Sequence, residues 1–176
     1  MTDPRVLLIG MMGSGKTTVG RALSELTGWP YRDNDEIVAE VEGISTDELL
    51  AQRGEKELRA AESRALAKVL SDRPPVIAGV AGGVVTSPAD RALLSAPEGF
   101  TVYLYAPLEV LVDRVGSGEG RPWLQPDPEK ALSRLLDGRD SLYREVADLV
   151  VDTSQGDPEA QARQIKTAVD GPAAAG

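Results

Sequence analysis

Apolar residues along the chain gather in short runs separated by longer stretches of helical spacing. The runs Arg5 to Ile9, Val76 to Val80, Thr101 to Tyr105 and Leu149 to Val151 are dense enough in apolar residues to suit strands of a parallel sheet covered on both faces. Trp29 to Arg32 reads as a further short strand, which Pro30 disfavours. After the first run, Val19, Leu23 and Leu26 fall on one side of a helix that Gly28 stops. A short helix is predicted from Glu36 to Val41, ending near Gly43. Ser45-Thr46-Asp47-Glu48 then forms a capping box ahead of Leu49 and Leu50. Gly54 breaks this helix, and a longer one follows with Leu58, Ala61, Ala65, Leu66 and Val69 inward. Residues 34–70 thus form a helical hairpin inserted between strands, with polar faces free to line a cleft.

Pro88 starts a helix to about Leu94, and Pro107 sits in the first turn of one that carries Val110, Leu111 and Arg114. Glu129 to Leu136 is helical by period, Gly138 predicts a break, and Arg139 to Ala147 continues as helix. Pro158 to Val169 closes the fold with Ile165 and Val169 inward. Strand and helix alternate, which is the pattern of a three-layer α/β domain. One domain is expected over residues 1–170, with a flexible tail over 171–176.

Composition narrows the chemistry. The chain has 176 residues, no cysteine and no histidine, which removes thiolate nucleophiles, disulfides and the usual general base. Proton transfer falls to Asp, Glu, Lys, Tyr or water, and a metal would be a hard cation such as Mg²⁺ held by oxygen. A net charge of −9 argues against a broad basic surface for nucleic acid. No run approaches the roughly 18 apolar residues of a membrane span. A cytoplasmic monomer is the expectation.

The stretch Gly10-Met11-Met12-Gly13-Ser14-Gly15-Lys16-Thr17 matches the phosphate-binding pattern G-x-x-x-x-G-K-[ST], between a strand and a helix as the motif requires. Glycines let the backbone curl so that N–H groups face phosphate oxygens, and the helix adds its positive N-terminal end. Lys16 would reach the outer phosphates and Thr17 would hold Mg²⁺.

Asp33 and Asp35 stand at the end of a strand, the side of a parallel sheet where ligands bind. In an extended segment both carboxylates face the same way. One suits Mg²⁺, directly or through water, and the other suits a substrate hydroxyl. Ala81-Gly82-Gly83 would let a ligand approach the backbone. The glycine-rich segment Gly116 to Gly120 followed by Arg121 reads as a mobile lid, spanning residues 115–127. Arg59, Arg121 and Arg139 together suit an anionic substrate, because guanidinium pairs with carboxylate in a bidentate way.

The ordered set of Gly10 to Arg21 (including Thr18), Asp33-Asn34-Asp35, Gly54-Glu55 with Leu58-Arg59 and Glu62, Gly82-Gly83 leading to Pro88, Arg121-Pro122, and Arg139 with Leu142 to Ala147 resembles the shikimate kinase family. These are small P-loop kinases built like the nucleoside monophosphate kinases. The resemblance implies ATP as donor, Mg²⁺ as cofactor and a hydroxyl of shikimate as acceptor. It implies that Asp35 takes the hydroxyl proton, that Asp33 and Thr17 support Mg²⁺, and that Arg59 and Arg139 pair with the substrate carboxylate. Gly82 and Gly83 would face the ring, Arg121 would join Lys16 on the transferring phosphoryl group, and Arg114 and Pro158 would flank adenine. The phosphate loop Gly13, Ser14, Gly15, Lys16, Thr17 and Thr18 would hold the nucleotide. The chain departs from the family at Ala81, where glycine is usual, and at Leu50 and Leu58, where phenylalanine is usual. Another small polyhydroxy acid or polyol is therefore the alternative acceptor. A nucleotide-binding protein without turnover would be expected to lack Lys16, Asp35 or Arg121, and all three are present.

Overall fold

A computed structural model describes residues 3–119 and 121–171. Five parallel strands, β1 (Arg5–Ile9), β2 (Tyr31–Arg32), β3 (Val76–Gly79), β4 (Phe100–Tyr105) and β5 (Leu149–Asp152), form one sheet in the order β2-β3-β1-β4-β5. The helices are α1 (Lys16–Thr27), α2 (Asn34–Glu42), α3 (Thr46–Ser71), α4 (Pro88–Leu94), α5 (Leu108–Val115), α6 (Pro128–Val146) and α7 (Pro158–Asp170). β1 lies at the centre, with Leu7 opposite Ala78 of β3 and Thr101 of β4.

Alternation along β1 builds the three layers. Val6 and Leu8 face a core completed by Val19 and Leu23 of α1 and Ala162 and Ile165 of α7. Leu7 and Ile9 face the other core, shared with Ile37, Leu49, Ala61, Leu94, Leu111, Leu132 and Tyr143 of α2 to α6. A strand buried on both faces has no polar side to show, which is why its sequence reads as a continuous apolar run.

The structure revises several expectations. Leu26 is 49% exposed, one turn past Leu23, the last buried residue of α1. Gly138 does not interrupt α6, which runs unbroken from Pro128 to Val146. A glycine inside a helix costs only about 1 kcal/mol against alanine, and burial of Leu132 and Tyr143 on either side offsets it. Gly54, by contrast, does break α3, with φ of 82° and ψ of 176°. Gly82 and Gly83 open a 3-10 turn, Gly82–Thr86. The tail keeps only Gly171 within the described residues, and 172–176 lie outside them, as does Gly120 of the expected lid.

Candidate functional site

The phosphate loop leaves the C-terminal end of the central strand and enters α1 at Lys16. Gly13 and Gly15 take left-handed φ values of 79° and 102°, which side chains rarely allow. The carbonyls of the loop are held from behind. Lys16 Nζ donates to Gly10 O at 2.8 Å and Met11 O at 3.0 Å. Arg114 Nη1 donates to Gly13 O at 3.1 Å, and Thr153 Oγ1 donates to Ser14 O at 2.7 Å. Burial lowers Lys16 to about 8; the Asp33 carboxylate opposes this shift and Arg139 adds to it. The first turn of α1 holds no acidic residue, leaving its positive end for an anion.

Asp33 and Asp35 do not share one extended segment. Asp33 is extended and caps α2, accepting from Asp35 N at 3.1 Å, while Asp35 already belongs to the first turn of that helix. Capping satisfies a free N–H of the helix end, so the chain turns helical at Asn34, two residues ahead of the expected start at Glu36. The other oxygen of Asp33 accepts from Thr17 Oγ1 at 3.0 Å and Tyr31 Oη at 3.1 Å. A hydroxyl and a carboxylate beside a phosphate loop are hard oxygen donors, the set that suits Mg²⁺ with waters and phosphate completing its shell. No group of three or more His, Cys, Asp or Glu that could hold a metal occurs among the described residues. The Asp35 carboxyl is raised above its ordinary range by burial first and by the neighbouring Asp33 charge second.

Across the cavity, Arg59 of α3 pairs with Glu62 at 2.8 Å and with Glu55 at 3.5 Å. The Glu62 side chain is 8% exposed, and burial raises its carboxyl while Arg59 pulls the other way. Gly83 matters here by size. A Cβ on it would stand 2.6 Å from Arg59 Nη1, and a Cβ on Gly82 would stand 3.0 Å from Gly10 O and 3.5 Å from Arg139 Nη1. Tyr143, fully buried and one turn beyond Arg139 on α6, donates to Gly82 O at 2.7 Å. Its ring stacks on Tyr103 with centroids 4.8 Å apart.

A single cavity of about 1020 Å³ joins these parts. Gly13, Gly15, Lys16, Thr17 and Thr18 line it with Asp33, Asp35, Arg59, Gly82, Gly83, Arg114, Arg121, Arg139 and Pro158. Ser14 is the exception among the expected residues: it does not line the cavity, it is 1% exposed, and its Oγ has no hydrogen-bond partner. Its place is behind the loop, where a Cβ on Gly10 would come within 2.7 Å of that oxygen. Leu50, Leu58, Ala81 and Trp123 complete part of the wall. Sequence reasoning gave Thr153, Glu62 and Tyr143 no role. Thr153 carried one usable signal, its place just past the C-terminal end of β5, the side of the sheet where ligands bind.

Residues 12–170 match the family model for shikimate kinase. The chain is 43% identical over 171 residues to a shikimate kinase of Halorhodospira halophila, covering 97% of this chain and 96% of that one. Its fold superposes on the shikimate kinase of Acinetobacter baumannii in complex with shikimate with a TM-score of 0.86, 37% identity and coverage of 96% and 93% of the two chains. The shikimate kinase of Aquifex aeolicus gives a TM-score of 0.80 at 29% identity, covering 98% and 99%.

Proposed function

The chain belongs to the shikimate kinase family, and from that premise we propose that this cavity carries the γ-phosphoryl group of ATP to a hydroxyl of shikimate, giving shikimate 3-phosphate and ADP. The observation that carries this reading is the continuity of the cavity, with a phosphate loop at one end and Asp35, Arg59 and Arg139 at the other. Catalysis is then mainly positioning and charge neutralisation.

The backbone of Gly13 to Thr18 receives the nucleotide phosphates, and Lys16 and Arg121 offset the charge that spreads over the transferring group. Arg114 and Pro158 border the base. Arg59 and Arg139 grip the acceptor carboxylate as guanidinium forks, and Gly82 and Gly83 offer backbone to the ring. Asp35 accepts the hydroxyl proton as the acceptor oxygen bonds to phosphorus and the bond to the ADP oxygen breaks. Its raised affinity for a proton suits that task. Thr17 and Asp33 would hold Mg²⁺, which when bound supplies positive charge at the phosphates.

The unit acts as a monomer in the cytoplasm on this reading, and no helix among the described residues is long and apolar enough to cross a membrane. A coupled assay of ADP release over shikimate, quinate, gluconate and simple polyols tests the acceptor. Shikimate is expected to give the highest kcat/KM, and a silent shikimate well beside an active alternative overturns the assignment.

A further inference from the structure

Phosphate recognition by backbone requires each peptide of the loop to be turned the right way, and a peptide is a rigid plane whose N–H and C=O point in opposite directions. Whatever holds the carbonyl of one residue therefore aims the N–H of the next. Glycine gives Gly15 the freedom to adopt its φ of 102°, but that freedom alone does not choose an orientation.

The choice is made from outside the motif. Thr153, in the loop between β5 and α7, is 5% exposed. Its hydroxyl accepts from Arg114 Nη1 at 3.0 Å and donates to Ser14 O at 2.7 Å. The alternative acceptor, Tyr105 O, lies farther away at 3.3 Å and already receives the Thr153 N–H at 2.8 Å. With the guanidinium on one side, the hydroxyl proton is left for Ser14 O. The loop that carries Thr153 is itself fixed, since Arg114 Nη2 donates to Thr153 O at 2.7 Å and Gln161 Nε2 donates to Gln155 O at 2.8 Å. Behind Gly15, the Thr153 Cβ and methyl group stand 3.9 Å from where a Gly15 Cβ would be.

We infer that Thr153 is a positioning residue for nucleotide binding: its hydroxyl holds the Ser14–Gly15 peptide so that the Gly15 N–H faces the nucleotide phosphates. It lines the wall of the same cavity, and its hydroxyl acts through the loop. This rests on the reading of the loop as the nucleotide site.

The test replaces Thr153 with Val, which keeps the shape and removes the hydroxyl, and with Ser, which keeps the hydroxyl. Calorimetry with a non-hydrolysable ATP analogue and Mg²⁺, and separately with shikimate, reads both ends of the cavity. Thr153→Val is expected to weaken nucleotide binding roughly tenfold, as loss of one buried hydrogen bond implies. Shikimate binding should stay within about twofold, and Thr153→Ser should restore nucleotide affinity to within about twofold. Val binding the nucleotide as tightly as Thr, equal losses for both ligands, or no rescue by Ser overturns the assignment. If the Val variant does not fold, Thr153→Ala against Thr153→Ser makes the same comparison, with Ala weak and Ser native. Failure of the unaltered protein to bind the analogue would instead overturn the nucleotide site itself.

Discussion

The two ends of the cavity are built differently. On the proposed reading the nucleotide meets backbone and the Lys16 ammonium at the loop end, where side chains also hold carbonyls: Lys16 on Gly10 and Met11, Arg114 on Gly13, Thr153 on Ser14. At the other end, on the same reading, the acceptor is gripped mainly by side chains, and those are held by other side chains, as Glu62 holds Arg59. A backbone surface recognises what every nucleoside triphosphate shares, whereas a side-chain surface can be retuned one residue at a time. On the proposed reading the difference would separate the part of the site that fixes the chemistry from the part that selects the acceptor.

The largest expected effect lies at the acceptor end. Asp35→Asn keeps size and hydrogen bonding but cannot take a proton, so turnover should fall roughly 1000-fold. Calorimetry should find ATP affinity within about twofold of the parent, because the loop end does not depend on this carboxylate. An unchanged kcat would remove Asp35 from the mechanism.

Gly83→Ala tests the acceptor end by itself. Its Cβ would stand 2.6 Å from Arg59 Nη1, so the guanidinium must move. The KM for shikimate should rise roughly 10- to 100-fold, since misplacing a binding group by about 1 Å costs on that order. Steady-state kinetics with ATP varied should show little change, and a matching rise in the KM for ATP would show that the two ends are not separable.

The smallest effect belongs to the loop end. In the free protein Lys16 loses its proton near pH 8, because burial disfavours the ammonium. Below that pH the charge is present for the phosphates, and above it binding must first take up a proton. ATP affinity measured by calorimetry should therefore drop about tenfold between pH 7 and pH 9, with proton uptake visible as a buffer-dependent enthalpy. Shikimate affinity should change less over the same range. A flat ATP profile would show that Lys16 keeps its charge throughout.

The sheet and the loop were legible because each obeys a local rule. The apolar runs mark strands buried on both faces, and the glycines with Lys16 and Thr17 mark a phosphate turn wherever they follow a strand. Ser45 and Glu48 form the capping box that their spacing announces, with Glu48 N donating to Ser45 Oγ at 3.2 Å. What was not legible depends on packing and on partners that no local pattern announces. Asp33 looks like half of a carboxylate pair, but its oxygens are divided between a helix N–H and the hydroxyls of Thr17 and Tyr31. Gly138 looks like a helix breaker, and only the burial on either side of it shows why α6 continues. Thr153 is 139 residues from the carbonyl it holds, so no spacing along the sequence could reveal it.

The strand order carries a consequence for how such an enzyme can diverge. With β1 between β3 and β4, the segments linked to β2 and β3 supply Asp35, Arg59, Gly82 and Gly83, while those after β4 and β5 supply Arg114, Thr153 and Pro158. The family departures Leu50, Leu58 and Ala81 all fall on the first side. Arg139 and Arg121 are the main crossings from the second side into the shared cavity. On the proposed reading, substitutions on one side of the central strand would alter the acceptor while leaving the donor site on the other side largely intact, so β1 would be the boundary between two separately mutable halves.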